Sequence, residues 1–167
     1  MMMTTEHRTR VNWDKVHMAR AIEIARHAEH LGHRPFGCVI TDEMGHTVAE
    51  SFGSELPTDP TRHSEVLAIQ EACRIKKGLL YGCTIYSTHE PCIMCCGAIL
   101  HSHISRVLFG SYRDDLPALF RERCITGITL LADTSHPPKV IGGILRPQCI
   151  DLFAGELSEL ANARTGF

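Results

Sequence analysis

Two short segments hold residue types that can do chemistry at spacings that let them act together. One is His63-Ser64-Glu65 and the other is Pro91-Cys92-Ile93-Met94-Cys95. Each falls at the expected start of a helix. Cys92 and Cys95 are three positions apart, so on a helix they share one face and both sulfurs can reach one ion. In the first turn the positive end of the helix dipole favours thiolate, the form that binds metal. His63 can add an imidazole nitrogen. A His/Cys/Cys set leaves the fourth tetrahedral position of Zn²⁺ open to water, which is the catalytic pattern, whereas structural sites are closed by four protein ligands. Water held there gives up its proton near neutral pH. Glu65, two residues past His63 and not itself a ligand, is placed to move that proton. The expected metal ligands are therefore His63, Cys92 and Cys95, the cofactor Zn²⁺ and the catalytic residue Glu65.

A bare Cys-x-x-Cys pair would also suit a redox dithiol or half a zinc knuckle. Joined to His-x-Glu, it resembles the signature of zinc-dependent nucleobase deaminases. Asp59-Pro60-Thr61-Arg62-His63-Ser64-Glu65 resembles the Asp-Pro-Thr-x-His-Ala-Glu run of guanine deaminases and bacterial tRNA adenosine deaminases. Glu90-Pro91-Cys92-Ile93-Met94-Cys95-Cys96-Gly97-Ala98 resembles their Glu-Pro-Cys-x-Met-Cys-x-Gly-Ala. Pro35-Phe36-Gly37 resembles a turn of the free-base branch, and the likeness spans residues 12 to 115. The resemblance implies an α/β protein with a three-layer α/β/α cytidine-deaminase-like fold around a five-stranded mixed sheet. It also implies a homodimer and hydrolytic release of ammonia from an aminated ring. On this likeness His63, Cys92 and Cys95 bind zinc, Glu65 is the acid/base, and the segment at Ser64 contacts substrate.

Two branches of that family compete. Gly97 to Ile104 and Arg106 to Gly110 look like the tRNA enzymes, which turn a wobble adenosine into inosine. Against this, 17 Lys and Arg face 19 Asp and Glu for a net charge of −2, and Arg164 is the one basic residue after Ile150. Contacts to phosphate need positive charge. The reading favoured is deamination of a small aminated heterocycle of the guanine or cytosine type. The alternatives are tRNA, and a non-catalytic zinc-binding subunit, against which Glu65 argues.

One departure bears on substrate. Relatives carry an Asn just after the second hairpin strand, but here the stretch is Ser51-Phe52-Gly53-Ser54, and the chain's Asn residues are Asn12 and Asn162. A buried polar group left unpaired is costly, so other groups must read the ring. Glu55, Asp114 and Asp115 are candidates, since guanine deaminases place an Asp soon after the strand that ends here at Gly110; the alternative is that the two aspartates are surface carboxylates. His89 is expected either to line the pocket or to bond a neighbour. Phe153 or Phe167 could stack on a planar ring, with a frayed end as the alternative for Phe167. Cys96 turns about 100° from Cys95 around the helix and is expected to be buried filling, as are Cys38, Cys73, Cys83, Cys124 and Cys149.

The elements that must position these groups follow from periodicity. A chain of 167 residues, 44% hydrophobic and 22% charged, fits a single domain spanning 1–167. The N-terminal residues lack a signal-peptide core, and no apolar run approaches the ~18 residues of a membrane span. A cytoplasmic, reducing setting with free thiols is expected. The pattern predicts a helix from Asn12, as N-cap, to Gly32, with Val16, Ala19, Ile22 or Ile24, and Leu31 as its apolar stripe and His17, His27 and His30 solvated. A hairpin follows over 36–49. Next come a helix over 63–75 that buries Val66, Leu67, Ile69 and Ala72, a strand over 83–87, a helix over 91–101 and a strand over 105–110. Thr126 to Leu131 reads as a strand and Gln148 to Leu160 as an amphipathic helix, separated by the Pro- and Gly-rich stretch Ser135 to Gly143. Alternating helices and strands favour a layered α/β domain.

Overall fold

A computed structural model describes residues 5–120 and 124–165, with side chains placed for 13–120 and 124–163. The elements run α1 (Thr5–His30), β1 (Gly37–Thr41), β2 (Thr47–Phe52), α2 (Ser64–Lys76), β3 (Thr84–His89), α3 (Ile93–His101) and β4 (Arg106–Ser111). A 3₁₀ turn (Arg113–Asp115), α4 (Gly127–Ala132), β5 (Lys139–Ile141), α5 (Arg146–Asp151) and α6 (Ala154–Thr165) complete them.

The five strands form one mixed sheet in the order β2-β1-β3-β4-β5. β1 is antiparallel to β2 and β3, while β3, β4 and β5 are parallel. Side chains alternate across a strand, and here the alternation sorts the core into two layers. Cys38, Ile40, Ile85 and Val107 pack with Ala68, Ile69 and Ala72 of α2, Ile99 of α3 and Leu131 of α4. Val39, Tyr86 and Leu108, one position along, pack with Met18, Ala21 and Ala25 of α1 and Cys149 of α5. This is the expected three-layer α/β/α arrangement. Among the described residues, no helix is long and apolar enough to cross a membrane.

The local expectations hold for the hairpin, for α2 and α3 and for the strands β3 and β4. They fail in α1, in part of the buried face of α2, and in the C-terminal third. Helix α1 begins at Thr5, so Asn12 is inside it and is not the N-cap. Its buried stripe is Met18, Ala21, Ile22, Ile24, Ala25 and Ala28, while Val16 and Leu31 are more than half exposed. Small residues win this face because a Cβ on Gly37 would strike the Ala21 backbone, so α1 lies hard against β1. His17 is buried rather than solvated. In α2, Ser64, Glu65 and Ala68 are buried beside Ile69 and Ala72, with Val66 and Leu67 only half-buried.

The stretch expected as a strand over 126–131 is instead the cap and body of α4. Thr126 caps α4 by accepting the Thr129 N–H at 3.1 Å, the usual role of a threonine at that position. The fifth strand comes instead from the Pro- and Gly-rich stretch, at Lys139–Ile141. The C-terminal helix is two helices, broken at Leu152 and Phe153, both buried. Cys124 is exposed and Cys73 half-buried, whereas Cys38, Cys83, Cys96 and Cys149 are the buried filling expected.

Candidate active site

The sheet brings two helix starts together. His63 is the N-cap of α2 (φ −74°, ψ 150°) and Cys92 the N-cap of α3 (φ −71°, ψ 171°). Neither side chain caps its own helix, so imidazole and thiol both turn to the space between them. His63 Nδ1 lies 3.6 Å from Cys92 Sγ and 3.5 Å from Cys95 Sγ, and the two sulfurs are 3.6 Å apart. A tetrahedron built on Zn–S of about 2.3 Å and Zn–N of about 2.0–2.1 Å has edges of roughly 3.5–3.8 Å. The three donors therefore already stand at the separations one zinc ion requires, and Cys96 is turned away, its thiol directed to the Pro91 carbonyl. The thiols polarise each other: hydrogen bonding from Cys95 draws the Cys92 thiol pKa down, while the same contact and burial push that of Cys95 up.

The opposite edge of the His63 ring is also held. Nε2 lies 2.8 Å from Glu55 Oε1. Gly127, at the start of α4, has no room for a side chain, because a Cβ would meet the Pro91 carbonyl and the Cys96 sulfur. Helix α4 thus buttresses the turn that carries Cys92.

Glu65 is buried in the first turn of α2. Its Oε1 accepts the Ser87 hydroxyl at 2.8 Å and its Oε2 the Ser64 hydroxyl at 3.0 Å. Cys95 Sγ is 3.5 Å from Oε2, which places the carboxylate beside the ligand set. The Ser64 side chain therefore serves Glu65. Ser87 was not anticipated; the signal available was a run of polar residues, Ser87-Thr88-His89, inside a strand buried along its whole length.

These groups open onto a cavity of about 580 Å³, a size usual for small-molecule sites. His63, Ser64, Glu65, Cys92, Glu55 and His89 are among its lining residues. His89 is buried, bonded through Nδ1 to Ser111 Oγ at 2.8 Å, and stacked on Phe120 with ring centroids 4.3 Å apart. Burial and the neighbouring Arg113 and Arg34 push its pKa down to about 4, so the ring is neutral at pH 7. The guanidinium of Arg34 lies over Phe36 and Phe120 and is also paired with Glu156 of α6.

Three expected substrate contacts are not on this wall. Asp114 is exposed and Asp115 is taken by Arg146, whose Nε lies 3.0 Å from Oδ2, and by the Tyr112 N–H at 2.8 Å. Neither aspartate lines the cavity. Phe153 is fully buried and meets Phe36, His89 and Phe120 edge-on from behind, so it supports the wall and does not face a ligand. Phe167 lies outside the described residues.

Residues 11–111 match the cytidine and deoxycytidylate deaminase zinc-binding region. The chain belongs to that deaminase family, with its zinc-binding region present and His63, Cys92 and Cys95 grouped to hold the metal. It is similar to a tRNA-specific adenosine deaminase of Haemophilus influenzae, 40% identical over 106 residues that cover 62% of this chain and 61% of the relative. It is also similar to a probable cytosine deaminase of Schizosaccharomyces pombe, 33% identical over 144 residues, covering 82% and 88% respectively. A guanine deaminase from Nitrosomonas europaea shares the fold, with a TM-score of 0.74 and 22% identity over 86% of this chain and 84% of that one.

Proposed function

We propose that the protein is a zinc-dependent hydrolytic deaminase of a small, free aminated heterocycle of the guanine or cytosine type. The observation that carries this reading is the cavity beside the ligand set, walled by Phe36, Phe120 and a neutral His89. Planar rings are held by such aromatic walls with a few placed polar groups. The net charge of −2 adds to it, because a polynucleotide substrate calls for a basic surface. We assign His63 Nδ1, Cys92 Sγ and Cys95 Sγ as the zinc ligands and Glu65 as acid/base.

Zinc bound by these residues supplies an activated water near neutral pH. Glu65 would hold the proton given up as a water oxygen bonds to the amine-bearing ring carbon and pass it to the amine nitrogen as that C–N bond breaks and ammonia leaves. Ser64 and Ser87 hold one carboxylate oxygen each, so the carboxylate keeps one orientation through both transfers. Glu55 fixes the His63 ring so that Nδ1 faces the sulfurs. The aromatic wall excludes water from the ring face.

A second reading is deamination of a wobble adenosine in tRNA, favoured by the 40% identity to the Haemophilus influenzae enzyme. A panel assay separates the two. Ammonia release is followed with guanine, cytosine, adenine, their nucleosides and aminotriazines, beside inosine formation in an anticodon stem-loop. Turnover of a free ring with none in the stem-loop supports the proposal, and the reverse result overturns it. No turnover of any compound by zinc-loaded protein would favour a non-catalytic zinc-binding subunit.

A further inference from the structure

The residue that reads the substrate ring can be sought among polar atoms that face the cavity and are not already engaged. His89 is 5% exposed and lines the cavity. Its Nδ1 is 2.8 Å from Ser111 Oγ. Ser111 has one hydroxyl proton and donates it to the Thr88 carbonyl at 3.3 Å. With that proton on the Thr88 carbonyl, Ser111 Oγ accepts from Nδ1–H, the tautomer in which Nε2 keeps a lone pair and no proton.

Nε2 has no hydrogen-bond partner among the described residues. That nitrogen lies on the ring edge away from Ser111, on a residue that lines the cavity. Three aromatic rings pack round it: Phe120 stacks on it at 21°, and Phe36 and Phe153 meet it edge-first at 6.1 and 5.8 Å.

We propose that His89 Nε2 accepts a hydrogen bond from a ring N–H of the substrate and so selects heterocycles whose ring nitrogen is unsubstituted. This rests on the reading of the site as a deaminase of free rings and narrows it. A free base offers a ring N–H. Adenine joined to ribose in a polynucleotide has none, since its only N–H donors are those of the amine that departs. His89 thus occupies the role that the Asn lacking from Ser51-Phe52-Gly53-Ser54 would fill. A site built to pair a buried polar group rejects analogues that leave it unpaired, by far more than a shape difference achieves.

The test measures binding to zinc-loaded Glu65→Gln protein by calorimetry, which separates recognition from turnover. The probes are cytosine and 1-methylcytosine, and guanine with its 1-methyl, 7-methyl and 9-methyl derivatives. Expected is a loss of at least ~100-fold for one methyl derivative of the base that binds. His89→Leu in the same background should shrink this to under ~10-fold, while His89→Gln, which keeps an acceptor, retains most of the preference. Ser111→Ala is the second variant: it replaces a small side chain, releases the tautomer and should cut the preference about tenfold even where His89→Leu fails to fold. A preference unchanged by His89→Leu or by Ser111→Ala overturns the inference and leaves the deaminase reading standing. Absence of any preference in the parent protein does the same. Failure of the Glu65→Gln protein to bind either base overturns this inference, and inosine formed in the stem-loop by protein that keeps Glu65 overturns the functional reading with it.

Discussion

Glu55 Oε1 and His63 Nε2 stand 2.8 Å apart, on the edge of the imidazole away from the two cysteine sulfurs. A carboxylate in that position holds the ring with its proton on Nε2 and leaves Nδ1 free as a donor to metal. It also raises the donor strength of that nitrogen.

Glu55→Gln should therefore weaken zinc binding by about 10–100-fold. Competition against a chromophoric chelator measures it, with circular dichroism to show that the fold persists. Glu55 is close to half exposed, so the change should cost little stability. Zinc affinity equal to that of the parent protein would show that the contact does not orient the ligand.

Glu65→Gln should retain zinc and lose about 10²–10⁴ in kcat, the usual contribution of a positioned proton carrier. Ser87→Ala tests the support rather than the carrier. With Oε1 deprived of its buried partner, kcat should fall by roughly tenfold, the scale of one hydrogen bond of about 1–1.5 kcal/mol, with KM nearly unchanged. A Ser87→Ala enzyme that alters KM alone would place the hydroxyl in substrate binding instead.

Acid should destabilise the fold through His89. Burial first, then Arg113 and Arg34, push its pKa down to about 4, with Asp115 and Cys92 acting the other way; the unfolded chain titrates near 6.5. Between those values the unfolded state binds the extra proton. The unfolding free energy is thus at its full value above pH 6.5 and falls as pH drops toward 4, by up to about 1.4 kcal/mol per unit. Urea titrations of the parent and of His89→Phe, both zinc-loaded, isolate this group from acid release of the metal. The parent's curve should be the steeper one in that window, and parallel curves would contradict it.

The two helix starts were legible because the chemistry and the fold use the same residues: His63 and Cys92 are at once candidate ligands and N-caps. Helix α4 was not, since Thr126-Gly127-Ile128-Thr129-Leu130-Leu131 has the composition of a strand. Its helix depends on a threonine cap and on contact with the turn at Pro91, which no local window contains. The engagement of Asp115 was hidden in the same way, because Arg146 lies 31 residues further along the chain. His89 could be narrowed to pocket or neighbour from its place beside Cys92. The residue lines the cavity and bonds Ser111 through Nδ1, a partner on the adjacent strand β4 that no local window contains.

Ser87 and His89 stand two positions apart on β3, which sets their backbones roughly 6.6 Å apart along the strand. The strand pairs with β4 at both residues and with β1 as far as Ser87, so this interval is a ruler between the anchor of the proposed proton carrier and the proposed reader of the ring. Inserting or deleting a residue between them would turn the reader to the other face of the sheet rather than lengthen its reach. A change of side chain at position 89, or at Phe36 or Phe120 beside it, would therefore alter the wall of the cavity without changing the interval to Ser87.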